Sequence, residues 1–118
     1  MDACDRRKGD HMSQKRMQQI ERRIEGIKRA LLEIGPMRPG SLTRQYKDPK
    51  HRTGAYWQIS YTRGMKSRTE YVRRECVTAL RREVQTHKRF KRLVDRWVEL
   101  SIERSRLTMQ TAEPATTR

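Results

Sequence analysis

Alternate positions between Gln58 and Arg74 carry side chains that hydrogen-bond or hold positive charge. Gln58, Ser60 and Thr62 come first, then Arg63, Lys66, Arg68, Arg73 and Arg74. These types suit recognition of a nucleic acid. An arginine forks onto the O6 and N7 edge of guanine, a glutamine onto the N6 and N7 edge of adenine, and Ser or Thr reaches phosphate or base. Arg44, Lys47, Lys50 and Arg52 precede the run, and Arg81, Arg82, Lys88, Arg89 and Arg92 follow it. They suit phosphate contact, which is indifferent to base sequence. Tyr56, Trp57, Tyr61 and Tyr71 could stack unpaired bases. A sheet this small also needs its aromatics as core, and each polar residue also reads as an ordinary solvent-facing one.

Other chemistry is poorly supplied. His11, His51 and His87 fall in a lead segment, a turn and a helix, and no His/Cys/Asp group has the spacing of a metal site. No glycine loop could cradle a phosphate, and no base is placed to activate a serine. His87, between Val84 and Phe90, reads as a partly buried packing residue, and Cys76, beside Val77, as a small hydrophobe. The expectation is therefore no enzyme, no metal and no cofactor.

Charge points the same way as the motif. The chain of 118 residues has a formal net charge of +15. Residues 38–92 hold sixteen Lys/Arg against four Asp/Glu, a net +12, while residues 93–118 are neutral overall. A localised excess of this size is the footprint of a polyanion binder. With 33% hydrophobic and 36% charged residues, a large core is excluded. No run approaches the roughly 18 apolar residues of a membrane-spanning helix. Cys4 and Cys76 make no disulfide framework, so a reducing cytoplasm is expected, nucleoid-associated if the partner is DNA.

The elements that must position these residues follow from periodicity. Residues 1–12 lack it and read as a disordered lead. Met17, Ile20, Ile24, Ile27, Leu31 and Ile34 step by 3, 4, 3, 4, 3, the a/d seam of a coiled coil, ended by Gly35-Pro36. A seam this narrow needs a second helix. Ser41–Tyr46 reads as a short strand, and Tyr56–Thr62 and Lys66–Val72 as a hairpin turning at Arg63-Gly64, with Met65 as an optional third turn residue. A two-residue turn groups Trp57, Ile59 and Tyr61 with Lys66, Arg68 and Glu70. A three-residue turn groups them with Ser67, Thr69 and Tyr71, and leaves Gln58, Ser60, Thr62, Lys66, Arg68 and Glu70 on one polar face. The second separates apolar from polar more cleanly and is the expectation. From Arg74 a helix of about 50 Å runs to Leu107 without Gly or Pro. Residues 108–118 read as a disordered tail.

The segment from Pro36 to Leu107 resembles a small bacterial domain family of unknown function. Its members run "PGSL…QY", an insertion, a "GPYY/W.LSY…GK.R..YV" stretch and a long helix. The likeness rests on Pro39-Gly40-Ser41-Leu42, Tyr46, Gly54, Tyr56-Trp57, Ser60-Tyr61, Lys66, Arg68 and Tyr71-Val72. It implies a link to mobile elements and assigns no activity. Many members carry a cysteine cluster before the glycine; here the segment reads "KDPKHRT", so a metal knuckle is not carried over. The strand–hairpin–helix order also resembles, in architecture only, the arm-binding domains of phage integrases, which read DNA with a three-stranded sheet.

The fold expected is α+β: an N-terminal helix, a small three-stranded antiparallel sheet and a long C-terminal helix, forming one domain over residues 13–107. The function expected is a non-enzymatic nucleic-acid-binding protein, with double-stranded DNA preferred over RNA. The alternative is a helical adaptor that binds an acidic protein surface. Phe90, Leu93, Trp97 and Leu100 form one apolar row on the last helix, and Val94, Val98 and Ile102 another. One short helix cannot cover both, so a homodimer is expected, with Ile24, Leu93, Trp97 and Leu100 at its interface.

Overall fold

The computed structural model describes the backbone of residues 2–111 and the side chains of residues 12–111. It is α+β: a helix α1 (Asp2–Leu32), strands β1 (Ser41–Asp48), β2 (Thr53–Arg63) and β3 (Lys66–Val72), a 3-10 turn (Arg74–Cys76) and a helix α2 (Val77–Thr111). The sheet is antiparallel throughout, in the order β1-β2-β3.

Two expectations about the ends change. Helix α1 takes in the expected lead from Asp2 onward. Loss of apolar periodicity does not end a helix, because a helix already nucleated by a packed seam gains one hydrogen bond per residue added. Helix α2 likewise continues four residues past Leu107, to Thr111; the rest of the expected tail, residues 112–118, lies outside the described residues.

The chain divides into two compact units, one of Met1–Glu33 with Arg92–Arg118 and one of Ile34–Lys91. In the first, Ile20, Ile24, Ile27 and Leu100 are buried together, with Leu31, Leu93, Trp97 and Leu107 packed on them. The helices run antiparallel, since Arg16 meets Glu103 while Lys28 meets Trp97. The 3-4 spacing on α1 produces this seam, and burial of each such side chain contributes about 1.5–3 kcal/mol. The seam stops at Leu31: α1 ends at Leu32, and Ile34 lies beyond it.

In the second unit the core is Ile59, Val72, Val77 and Val84, with Leu42, Trp57 and Leu80 around them. Ile59 comes from mid-β2 and Val77 and Val84 from α2, so the sheet rests one face on the first half of α2. Gly40 sets the entry to β1. Its φ is +136°, and a Cβ there would lie 2.8 Å from Ile59 Cγ1 and 3.0 Å from the Ser60 carbonyl oxygen. Only glycine meets both conditions. Just upstream, the Arg38 N–H donates to the Glu83 carbonyl on α2 at 3.0 Å.

Candidate nucleic-acid interface

The hairpin turn decides what each sheet face carries. Arg63 pairs with Lys66, so the turn is Gly64-Met65, two residues long and one later than Arg63-Gly64. Gly64 has φ 58° and Met65 φ 65°, the left-handed pair of a type I′ turn, whose twist matches that of the flanking strands. The three-residue turn, and the facing built on it, are therefore overturned. In the observed register Trp57 stands opposite Val72, Ile59 opposite Glu70 and Tyr61 opposite Arg68. Lys66, Arg68 and Glu70 share the face of Ile59, while Gln58, Ser60 and Thr62 share theirs with Tyr71, Thr69 and Ser67. The single polar face expected to combine Gln58, Ser60 and Thr62 with Lys66 and Arg68 does not exist.

What exists is more sharply divided. The face turned from α2 holds Ser41, Thr43 and Gln45 of β1, Tyr56, Gln58, Ser60 and Thr62 of β2, and Ser67, Thr69 and Tyr71 of β3. None of these side chains carries charge at neutral pH. They hydrogen-bond one another across the strands: Ser60 Oγ and Thr69 Oγ1 at 3.1 Å, Thr62 Oγ1 and Ser67 Oγ at 3.0 Å, and Gln45 Nε2 donating to Thr43 Oγ1 at 3.3 Å. Each hydroxyl keeps further acceptor capacity, and Gln58 keeps its whole amide. Lys47 stands at one end of this face, two positions beyond Gln45.

The other face binds itself up. Arg38 donates to Glu70 at 2.9 Å, and Tyr61 Oη donates to the other Glu70 oxygen at 2.8 Å. The Arg38 guanidinium also lies over the Tyr61 ring at 4.9 Å. The hydrogen bond from Arg38, seconded by that from Tyr61, holds the Glu70 carboxyl below its ordinary range, and the same bond to Glu70 raises Arg38. Nothing in the sequence pattern marks Arg38, because its partner lies 32 residues away.

Cations stand at the ends of this sheet and, as Arg44 and Arg68, on the face turned to α2. Arg63 and Lys66 are exposed at the hairpin end, Lys47, Lys50 and Arg52 at the β1–β2 end, and Arg73 and Arg74 where β3 enters α2. Arg44 lies over the Tyr46 ring at 5.5 Å and Arg81 over the Trp57 ring at 5.3 Å; Arg82 is exposed beside it on α2. Of the fourteen residues expected to bind nucleic acid, Arg73 is the one cation with a carboxylate within reach among the described residues, Glu75 at 3.9 Å. The helix pair differs: Arg16 meets Glu103 at 2.6 Å, Arg104 meets Glu21 at 3.2 Å, and Arg96 and Lys28 face Glu99 and Glu25. In the sheet unit, among the described residues, Arg38 and Arg73 are the Lys or Arg side chains with a carboxylate in reach.

Three further expectations land differently. Cys76 is exposed at the head of α2, so it is not a core hydrophobe. His87 is half-buried and stacks on Phe90 with centroids 6.4 Å apart. Of the residues expected at a dimer interface, Ile24 and Leu100 are buried within the chain's own helix pair, and Leu93 packs beside them. Trp97 is half-buried there under Lys28. The residues α1 leaves uncovered are Val98, 52% exposed, and Ile102, 48% exposed.

Among the described residues no group of His, Cys, Asp and Glu is placed to hold a metal ion, and no helix is long and apolar enough to cross a membrane. Comparison with protein-family models, curated proteins and solved structures returns no match.

Proposed function

We propose that this is a non-enzymatic nucleic-acid-binding protein whose working surface is the sheet unit. The observation that carries this reading is the division of labour around the sheet. An uncharged field of hydroxyls and amides fills the outer face, and a ring of guanidinium and ammonium groups stands at the ends of the sheet and on its α2 side; among the described residues Arg73 alone of the residues expected to bind has a carboxylate within reach. Phosphates take cations and base edges take uncharged donors and acceptors, so a nucleic acid asks for this pattern. A polyanion bound by charge alone would not need the field. Double-stranded DNA is the preferred partner, because its major groove admits strands of a sheet and each base pair there shows a distinct set of donors and acceptors.

We further propose that the chain is a homodimer in the cytoplasm, joined through the apolar row Val94, Val98 and Ile102 instead of through Ile24 and Leu100. Two sheets on one duplex would raise avidity without new contacts.

Equilibrium binding to a random-sequence duplex tests the function. At low salt a complex is expected, with log K falling linearly in log salt at a slope of about −0.9 per phosphate neutralised. Absence of a complex at low salt would overturn the nucleic-acid reading and leave the adaptor for an acidic protein surface.

A further inference from the structure

At the β1–β2 end of the sheet lies a cleft of about 450 Å³, whose edge includes Tyr56 and Tyr71 of the outer face. Trp57, Val72 and Val77 form its apolar wall, Arg44 stands on the strand side, and Arg74 and Thr78 stand on the α2 side. The volume falls within the roughly 300–1,000 Å³ of small-ligand sites. We propose that this cleft takes one unpaired nucleotide, a strand end or a nucleotide turned out of its duplex, with the base against Trp57 and the phosphate between Arg44 and Arg74. The inference rests on the nucleic-acid reading and adds to it a site at the end of the sheet, which shares Tyr56 and Tyr71 with the outer face.

Three features converge on this ligand class. The wall is flat and aromatic where the mouth is cationic, and a nucleotide is a flat ring joined to an anion. The indole is braced, since Arg81 lies over it at 5.3 Å and its partner across the strands is the buried Val72. A braced aromatic stacks a base without first losing its own freedom. Neither Arg44 nor Arg74 has a carboxylate partner among the described residues, and no acidic side chain lines the cleft. An anion entering there meets two guanidiniums and no competing charge. Sulfate or free phosphate would use the arginines and leave the wall bare; an apolar ligand would leave the arginines without an anion.

Tryptophan emission reads the site directly, because Trp57 and Trp97 are the two tryptophans and Trp97→Phe leaves Trp57 alone. Titration of the full chain carrying Trp97→Phe with dAMP should quench Trp57 saturably. Adenosine or inorganic phosphate should act at least tenfold more weakly. Thr78 is exposed, so Thr78→Phe fills the cleft without burying new polar groups and keeps every cation. That variant should abolish quenching by dAMP while its affinity for a random-sequence duplex stays within about twofold. Absence of saturable quenching, quenching that survives Thr78→Phe, or equal action by inorganic phosphate would overturn the nucleotide site. Duplex binding in the same samples keeps that failure separate from failure of the nucleic-acid reading.

Discussion

Glu70 accepts from Arg38 at 2.9 Å and from Tyr61 at 2.8 Å, one bond on each carboxylate oxygen, and so ties the segment before β1 to the middle of the hairpin. Both donors favour the charged carboxylate, which is why Glu70 is held below its ordinary value of 4.5. A carboxylate lowered on folding contributes stability that is fully present above its unfolded value and is lost as pH falls through its lowered one. The parent should therefore melt above Glu70→Gln at pH 6, and the difference should shrink as pH is taken below 4.5. A melting gap between the two that stayed constant down to pH 2.5 would show that the contact contributes nothing through ionisation. The group is exposed, so the gap at pH 6 should be small.

The turn at Gly64-Met65 carries a residue in a costly conformation. Met65 has φ 65° and is 99% exposed, so nothing repays its left-handed backbone through packing. The left-handed region costs an L-residue about 1–2 kcal/mol, and glycine's extra chain entropy costs about 0.5–1 kcal/mol. Met65→Gly should then stabilise the sheet unit by up to about 1 kcal/mol, read as a midpoint shift in urea at unchanged slope. Destabilisation would mean that the Met65 side chain holds the turn.

Which features were legible follows from the range of the interactions. Element order and type came from periods of 3.6 and 2, both local. The Ile20, Ile24 and Ile27 seam was visible for that reason, and it packs on Leu100 as an antiparallel partner. The facing of the hairpin was not visible, because a turn of three residues in place of two exchanges every β3 side chain between faces, and the observed facing is the one a two-residue turn gives. Arg63-Gly64-Met65 offered three placements, and only the positive φ at Met65 selects one. A glycine at position 65 would have marked the type I′ turn in the sequence; methionine concealed it. The same error misplaced Lys66 and Arg68 and hid Thr69 and Tyr71 as members of the outer face. The dimer residues went astray on a different count. Both apolar rows of α2 were recognised, but Ile20, Ile24 and Ile27 of α1 cover the one containing Leu93 and Leu100.

That leaves Val98 and Ile102 as the test of self-association. A dimer through this row should be broken by Val98→Glu. The side chain is already half exposed, so the variant should fold with the parent's circular dichroism. Light scattering at micromolar concentration should show the parent at twice the monomer mass and the variant at the monomer mass. A parent that is monomeric across that range ends the dimer proposal.

The division between an uncharged field and a cationic ring makes opposite demands on binding data. Gln58 sits mid-strand on the outer face, opposite Tyr71 on one side and Thr43 on the other, and its amide makes no side-chain hydrogen bond among the described residues. Lys66 stands exposed at the hairpin end on the opposite face. If bases meet the field and phosphates the ring, Gln58→Ala should flatten the preference among duplexes selected from a random pool. It should cost about 1–3 kcal/mol on the best site and little on random DNA, with the salt slope unchanged. Lys66→Ala should weaken all duplexes alike and reduce the salt slope by about one. Arg68 lies on the inner face opposite Tyr61, two positions nearer the Glu70 cluster, and Arg68→Ala should behave like Lys66→Ala or more weakly. Selection of bound sequences with each variant, followed by salt titration on the enriched site, distinguishes these outcomes. Loss of selectivity in Lys66→Ala with none in Gln58→Ala would place the reading surface on the wrong side of the sheet.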